Sequence, residues 1–453
     1  MRICELIGKK VAIWGLGKEG WSTLKTLNKA LPSLRINILN DNPLPVGDVE
    51  RVEKDYIATI STGPDAIANL STFDVVIKSP GISIYRQVIK DARAKGVLFT
   101  SATNLWFSEH AHENTICITG TKGKSTTASL VTHLLQNSGM RVELRGNIGD
   151  PLIDSLDISE KPDFWVIEIS SFQLADFEGS PSVSVLLNLF PEHLDWHGDQ
   201  ETYFRDKLNL FSNMHGGTII LNRLDELSVK LAAHLSGVIY FNDADKIHYG
   251  ETSVYDGDTP LINCDKIHLR GNHNLSNICA ALSVIKAVGI SPQACVQSLT
   301  YFRELPHRLN VVGEKDGIVY VDDSISTVQE STIEAIKSFA GRPITLLLGG
   351  FDRGHDYGKL VDYLLASRLV ANVVTMPTTG LRIAAALSRQ TKGLNAPALY
   401  EAENLDSAIK IARRITPSGG IVLLSPAAPS FGAFKNFEER GDKFTQIALS
   451  DIR

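Results

Sequence analysis

The seven residues Gly120-Thr-Lys-Gly123-Lys124-Ser125-Thr126 constrain this 453-residue chain more than any other stretch. They stand between an apolar run, Thr115-Ile-Cys-Ile-Thr119, and a helical pattern from Thr126 to Asn137. A glycine-rich turn joining a buried strand to a helix belongs to an α/β sheet, where its backbone N–H groups lie beyond the carboxyl end of the strand. The N–H groups of Gly120, Thr121, Lys122 and Gly123 would cradle phosphates. Lys124 would neutralise the β and γ charges, and Ser125 would offer its hydroxyl to Mg2+. The stretch reads as an ATP-type loop, shorter than G-x-x-x-x-G-K-[ST] because position 118 is Ile.

A second glycine-rich turn lies upstream. Gly15-Leu16-Gly17-Lys18-Glu19-Gly20 follows the strand-like run Val11-Ala-Ile-Trp14 and opens a helical stretch to Ala30, and Asp41 closes the next apolar run, Arg35 to Leu39. Glycines in a G-x-G-x-x-G turn let the backbone approach a diphosphate at the positive end of a helix. The diphosphate can belong to a dinucleotide or a nucleotide sugar, and the same glycines also serve tight helix–sheet packing. The β-α-β alternation continues through Val75 to Lys78, Trp165 to Ile169 and Val183 to Asn188. It restarts after Leu305-Pro-His-Arg308 with Ile318 to Val321, Ile344 to Leu348 and Ile421 to Leu424. At roughly 150 residues per domain this length suits about three domains, with boundaries near 113 and 305.

Composition narrows the function classes. Hydrophobic residues at 43% and charged residues at 21% fit a folded globular chain and exclude disordered or fibrous classes. The longest apolar runs, such as Val183 to Leu187, fall short of the ~20 residues that span a bilayer, and no secretory leader is visible at the start, so a cytoplasmic location away from membranes is expected. With 45 basic and 51 acidic residues the net charge of −6 gives no general field for nucleic acid. Five dispersed cysteines without C-x-x-C argue against a disulfide framework or a zinc site.

Near the ATP-type loop, Glu168 closes a buried-strand pattern, where a carboxylate can serve as a Mg2+ ligand. His193 and Lys207 follow; a single histidine is more often structural and a helical lysine more often solvated, so the residues alone single out only Glu168.

The ordered set of motifs resembles the Mur ligase family over nearly the whole chain. It comprises the Gly120 loop, Gly146-Asn147-Ile-Gly149, Glu168-Ile-Ser-Ser-Phe-Gln173, Leu187-Asn-Leu-Phe-Pro-Glu-His193-Leu-Asp195 and Lys207-Leu. Gly271-Asn-His-Asn274-Leu-Ser-Asn277, Leu305-Pro-His-Arg308, Asp323-Ser324, Ser425-Pro-Ala-Ala-Pro-Ser430 and Phe434-Lys-Asn-Phe437-Glu-Glu-Arg440-Gly complete it. The resemblance implies an α/β chain of three domains. A Rossmann-like domain, 1–113, binds the UDP part of a substrate through Gly15, Leu16, Gly17, Lys18, Asp41 and Ser79. A central P-loop ATPase-type domain, 114–305, binds Mg-ATP. A Rossmann-like domain, 306–453, closes over it and brings an amino acid. Ser-Ser-Phe-Gln-Leu and Phe-Lys-Asn-Phe-Glu-Glu-Arg-Gly are most similar to the member that adds glutamate to UDP-N-acetylmuramoyl-L-alanine in cytoplasmic peptidoglycan precursor synthesis.

By the same resemblance Ser125 and Glu168 hold one Mg2+, and Glu168, His193 and Lys207 a second, with Lys207 carrying a CO2-derived carbamate. Lys124 and Asn147 sit at the reacting groups. Gly120 to Thr126, Asn274, Asn277, Arg308 and Asp323 contact ATP; Thr327, Arg353, Ser430 and Phe437 form the glutamate pocket. An Arg at 353 suits bidentate capture of a carboxylate. The chain departs from the family's D-S-K-A-T-N, reading Asp323-Ser-Ile325-Ser-Thr327-Val328, and carries Arg353 where lysine is usual. These changes look like the L-glutamate-adding branch, with D-glutamate the alternative. Each site assembling within one chain, a monomer is expected. Folylpolyglutamate synthetase is a rival, but it begins near the ATP loop. An NAD-dependent oxidoreductase leaves the Gly120 loop without purpose, and a non-catalytic regulator does not need Lys124, Glu168, His193 and Lys207 intact.

Overall fold

Apolar runs too short to span anything else become strands buried on both faces, as parallel sheets require. The computed structural model describes residues 1–450 except 45, 149, 159, 270, 303–305, 340, 353–356 and 391–395. It divides into two compact units, Met1–Arg303 and Glu304–Arg453.

The first unit holds two parallel sheets and a small antiparallel one. β1 (Val11–Trp14), β2 (Ile36–Asn40), β3 (Ala58–Thr62), β4 (Val75–Lys78) and β5 (Leu98–Thr100) lie in the order 3-2-1-4-5, with α1 (Lys18–Ala30) following β1. The strand order reverses between β1 and β4, which places the crevice of this sheet beside the Gly15 turn and Ser79. The next sheet contains β6 (Thr115–Thr119), β7 (Val142–Gly146), β8 (Phe164–Glu168), β9 (Val183–Leu186), β10 (Thr218–Asn222) and β11 (Val238–Phe241), in the order 11-10-9-6-8-7. β6 is flanked by β8 and β9, so the loop after β6, Glu168 at the end of β8 and Asn188 beyond β9 share one edge. The helices that matter to the site are α2 (Lys124–Asn137), α3 (Ser171–Leu174), α4 (Leu194–His197), α5 (Gln200–Leu208) and α6 (Asn272–Ala287).

The two parallel sheets of this unit share one core. Val11, Ile13 and Ile77 belong to the same buried cluster as Cys117, Trp165 and Ile167, and Trp106 bridges them. The Trp106 ring meets Trp165 edge-on at 5.0 Å, and its indole N–H donates to Ser155 Oγ at 3.1 Å. The sequence reading did not include β12 (Ile247–Tyr249), β13 (Ser253–Asp256) and β14 (Thr259–Asn263), an antiparallel meander whose short, mixed strands carry little periodic signal.

In the second unit β15 (Asn310–Lys315), β16 (Ile318–Asp322), β17 (Ile344–Leu348), β18 (Val370–Thr375), β19 (Ala398–Glu401) and β20 (Ile421–Leu424) form a sheet in the order 15-16-20-17-18-19. All its pairings are parallel except the β15 edge, and α7 (Phe437–Leu449) packs on it. Among the described residues no single helix is long and apolar enough to cross a membrane.

Candidate active site

The Gly15 turn is shaped by three different demands. Gly15 has φ +94°, and its carbonyl accepts the Ser79 hydroxyl at 2.7 Å. A Cβ on Gly20 would stand 2.1 Å from that same carbonyl oxygen, so α1 can lie this close to the turn only with glycine there. Gly17, the N-cap of α1, has open space where a side chain would be. Two of the glycines therefore serve the fold, and the third leaves room for a ligand at the helix N-terminus. Leu16 is buried and Lys18 exposed. Asp41 is engaged by both guanidinium nitrogens of Arg86, at 2.8 and 2.9 Å, and Arg86 lies 4.7 Å over the Trp14 ring. Arg86 was not legible as part of this site, because nothing local links positions 41 and 86.

The loop after β6 is pinned from the β9 side. Lys122 N–H donates to Asn188 Oδ1 at 2.8 Å, and the Asn188 amide returns a bond to the Lys122 carbonyl at 3.0 Å. The Thr121 hydroxyl donates to the Phe190 carbonyl at 3.0 Å and lies 3.0 Å from the Tyr203 hydroxyl. Lys122 also pairs with Glu192. Gly123 is left-handed, φ +87°, and caps α2; a Cβ there would meet Asn277 of α6, so the glycine lets α6 close over the loop. Asn277 donates to Asn274 Oδ1 at 3.3 Å, which joins two of the expected ATP contacts. Ser125 and Thr126 form the first turn of α2, and Ser125 is buried.

Lys124 folds over the loop, its ammonium donating to the carbonyls of Gly120 and Thr121 at 3.1 and 3.0 Å. Lys207 reaches the same place from α5, with its nitrogen 2.9 Å from the Gly120 carbonyl and 5.1 Å from the centre of the Tyr203 ring. Burial holds Lys207 well below the usual lysine range, and the neighbouring Lys124 ammonium adds to the effect against the pull of Glu192 and Glu168. Lys207 is thus the opposite of a solvated surface lysine.

Glu168 is 2% exposed. Its Oε1 accepts the Asn147 amide at 2.9 Å, and among the described residues its Oε2 is buried with no hydrogen-bond partner. A buried carboxylate oxygen left unpaired is costly, and a cation at that oxygen would remove the cost. The donors Ser125 and Glu168 fit a hard, oxygen-seeking ion. His193 caps α4 with φ +55°; its side chain is 43% exposed, its Nε2 is 3.7 Å from Glu192, and its ring packs against Phe172. No group of three or more His, Cys, Asp or Glu that could hold a metal occurs among the described residues. Asn188 and Glu192 stand in the Leu187 to Asp195 motif without a role assigned to them there, and Tyr203 was not singled out; Asn188 follows the carboxyl end of β9 as Glu168 ends β8.

In the second unit the loops after β16 and β20 meet. Asp323 accepts from the Ser425 hydroxyl at 2.6 Å and from Leu309 N–H at 3.2 Å. Burial pushes it up to about 6, against those hydrogen bonds and the nearby Arg308 charge. Arg440, 2% exposed, ties both loops: its guanidinium donates to the Ser324 hydroxyl and carbonyl at 2.9 and 2.7 Å and to the Ala428 carbonyl at 3.0 Å. Ser430 is buried on the second of these loops, and Phe437 opens α7 with its carbonyl accepting from Ser324 Oγ at 2.8 Å. Thr327 lies partly exposed on the first, beside the exposed Val328. Arg353 lies outside the described residues.

Comparison with known proteins adds independent evidence. Residues 118–285 match the model of the Mur ligase middle domain. A relative from Xanthomonas oryzae pv. oryzae, named UDP-N-acetylmuramoyl-L-alanine--L-glutamate ligase, is 40% identical over 100% of this chain and 97% of its own length. One of the same name from Xylella fastidiosa is 38% identical with the same coverage. Among solved structures, UDP-N-acetylmuramate-alanine ligase from Thermotoga maritima superposes with a TM-score of 0.55 at 18% identity, covering 97% of this chain and 98% of that one.

Proposed function

The chain belongs to the Mur ligase family of ATP-dependent amide-forming enzymes, and on that premise we propose that it joins glutamate to UDP-N-acetylmuramoyl-L-alanine, with L-glutamate the preferred amino acid. The full-length relatives carrying that name support the substrates. The observation that carries the chemistry is the pairing, beside one glycine-rich loop, of a buried carboxylate oxygen without a hydrogen-bond partner among the described residues and a buried lysine with a depressed pKa.

A carboxylate cannot be attacked by an amine at neutral pH, because oxide would have to leave. In this reading the alanine carboxylate attacks the γ-phosphorus of ATP, the bond to the bridging oxygen breaks, and ADP departs from an acyl phosphate. The glutamate amine then attacks the acyl carbon; phosphate leaves and the nitrogen gives up a proton. The first step brings two anions together, so positioned positive charge dominates its barrier. Lys124, whose ammonium donates to the Gly120 and Thr121 carbonyls, is the residue this reading sets against the phosphates. Two Mg2+ ions, one held by Ser125 and Glu168 and the other by Glu168, His193 and Lys207, would supply the remaining charge neutralisation.

An ammonium cannot ligate a cation, but the depressed pKa of Lys207 favours the neutral amine, the form that adds CO2 to become a carbamate. Asn147 orients Glu168 from one side. Residues 1–113 take the UDP part at Gly15, Leu16, Gly17, Lys18, Asp41 and Ser79, residues 114–305 take Mg-ATP, and residues 306–453 take glutamate at Thr327, Arg353, Ser430 and Phe437. Asn274, Asn277, Arg308 and Asp323 complete the nucleotide contacts of this reading, which assigns a monomer working in the cytoplasm.

The test is phosphate release by the purified protein with Mg-ATP and UDP-N-acetylmuramoyl-L-alanine, offered L-glutamate or D-glutamate in separate reactions with product mass confirmed. Turnover with L-glutamate alone is expected. Turnover with D-glutamate alone overturns the stereochemical part, and turnover with neither overturns the substrate assignment.

A further inference from the structure

Four polar side chains form an unbroken chain beneath the site. The Tyr85 hydroxyl donates to Asp206 Oδ1; Asp206 Oδ2 is 2.6 Å from His197 Nδ1; and His197 Nε2 is 3.1 Å from Ser171 Oγ. Ser171, His197 and Asp206 are 3%, 2% and 3% exposed. An imidazole donating from Nδ1 to the carboxylate can accept the serine hydroxyl at Nε2, so each link can be satisfied with one proton. The order of groups is that of a nucleophile, a base and a carboxylate. Ser171 is nevertheless buried at the start of α3, with no room for a substrate carbonyl, which assigns the chain to positioning and not to acyl transfer.

What the four residues adjoin gives the chain its meaning. Ser171 lies three positions after Glu168, His197 four positions after His193, and Asp206 next to Lys207. Tyr85 stands on the segment that runs from Ser79 to the helix beginning at Gln87. The same segment is bonded directly to α4 as well: the Ser83 hydroxyl donates to the Trp196 carbonyl at 2.8 Å, and the Trp196 indole donates to the Gly81 carbonyl at 3.1 Å. Burial pushes the Tyr85 phenol up to about 12 and the Asp206 contact adds to this, so the hydroxyl stays a donor. Successive residues on a helix project about 100° apart, so fixing Asp206 toward Tyr85 and His197 also fixes the direction in which Lys207 points.

We infer that Tyr85, Asp206, His197 and Ser171 are positioning residues that couple the segment after β4 to the side chains holding the second cation. The inference rests on the reading of Glu168, His193 and Lys207 as ligands. Outer partners of metal ligands act in this way, by holding ligands at the geometry the ion requires.

The test uses the full-length protein as wild type, Tyr85→Phe, Ser171→Ala and the double variant. Mn2+ binding in bicarbonate buffer is followed by electron paramagnetic resonance, alongside kcat, KM for ATP and the thermal midpoint. Each single change is expected to weaken Mn2+ binding and lower kcat by about tenfold, with KM for ATP within about twofold. The double variant is expected to lose little more than the worse single one, because both cut one chain. A fall in thermal midpoint with unchanged Mn2+ binding and kcat overturns the inference, as do independent, additive losses. If wild type turns over neither glutamate, the functional reading fails while the Mn2+ comparison still decides the coupling.

Discussion

Glu19 illustrates what burial does to a single residue of a glycine-rich turn. It lies in the Gly15 to Gly20 segment, with Oε1 buried and without a hydrogen-bond partner among the described residues, near Lys78 and Asp176, whose own charged atoms are 3.5 Å apart. Burial pushes Glu19 up to about 7; Lys78 and a hydrogen bond from Gln173 oppose the shift, and Asp176 reinforces it. The folded chain therefore binds this proton more tightly than the unfolded chain. The resulting stability is fully present below the ordinary glutamate range, and it is lost as pH rises through about 7. Asp323, pushed up to about 6, acts in the same direction. Thermal midpoints measured between about pH 5 and pH 8 should fall for wild type, and Glu19→Gln should flatten the upper part of that fall. An unchanged slope in the variant would show that Glu19 is ionised in the folded state throughout. None of this was legible from the segment itself, which presents Glu19 as one more polar residue; Asp176 and Gln173, two of the groups that act on it, lie more than 150 positions away.

At the level of the element, the turn between β1 and α1 separates glycines that build from glycines that admit. Gly20→Ala would force a methyl to within 2.1 Å of the Gly15 carbonyl oxygen, and overpacking of this kind costs ~1–3 kcal/mol. Gly17→Ala meets nothing within 4 Å. The first substitution should lower the thermal midpoint. The second should leave it in place and raise KM for the UDP substrate several-fold, as steady-state kinetics on the two variants would establish. The strand–turn–helix elements were legible because their signal is local: an apolar run, glycines, then a helical period, as at Thr115 to Asn137. The loop after β6 and Glu168 could be read for the same reason. The Tyr85 to Ser171 chain could not, because its partners lie up to 121 positions apart and each alone is an unremarked polar residue. The meander of β12 to β14 stayed hidden for a different cause, since three strands of 3, 4 and 5 residues give too few alternations to stand above chance.

For the whole molecule, three parallel-strand sheets amount to two compact units, because the first two sheets share the core around Trp106 and Trp165. A fragment of residues 306–453 keeps its own buried clusters, drawn from residues 309 to 448, and should unfold cooperatively when produced alone. A fragment of residues 1–113 strips Leu105, Trp106 and Phe107 of their partners and should show exposed apolar surface and no sharp transition; calorimetry and dye binding on the two fragments would check this. The common core around Trp106 also bears on how such chains diversify. A gene segment encoding the first sheet cannot be exchanged with that of a distant ligase unless the tryptophan-lined contact is exchanged with it, whereas the segment from Glu304 onward carries hydrophobic clusters of its own. If the proposed glutamate pocket is right, selection can rewrite Ile325, Val328 and their neighbours without reopening the core that the first two sheets hold in common.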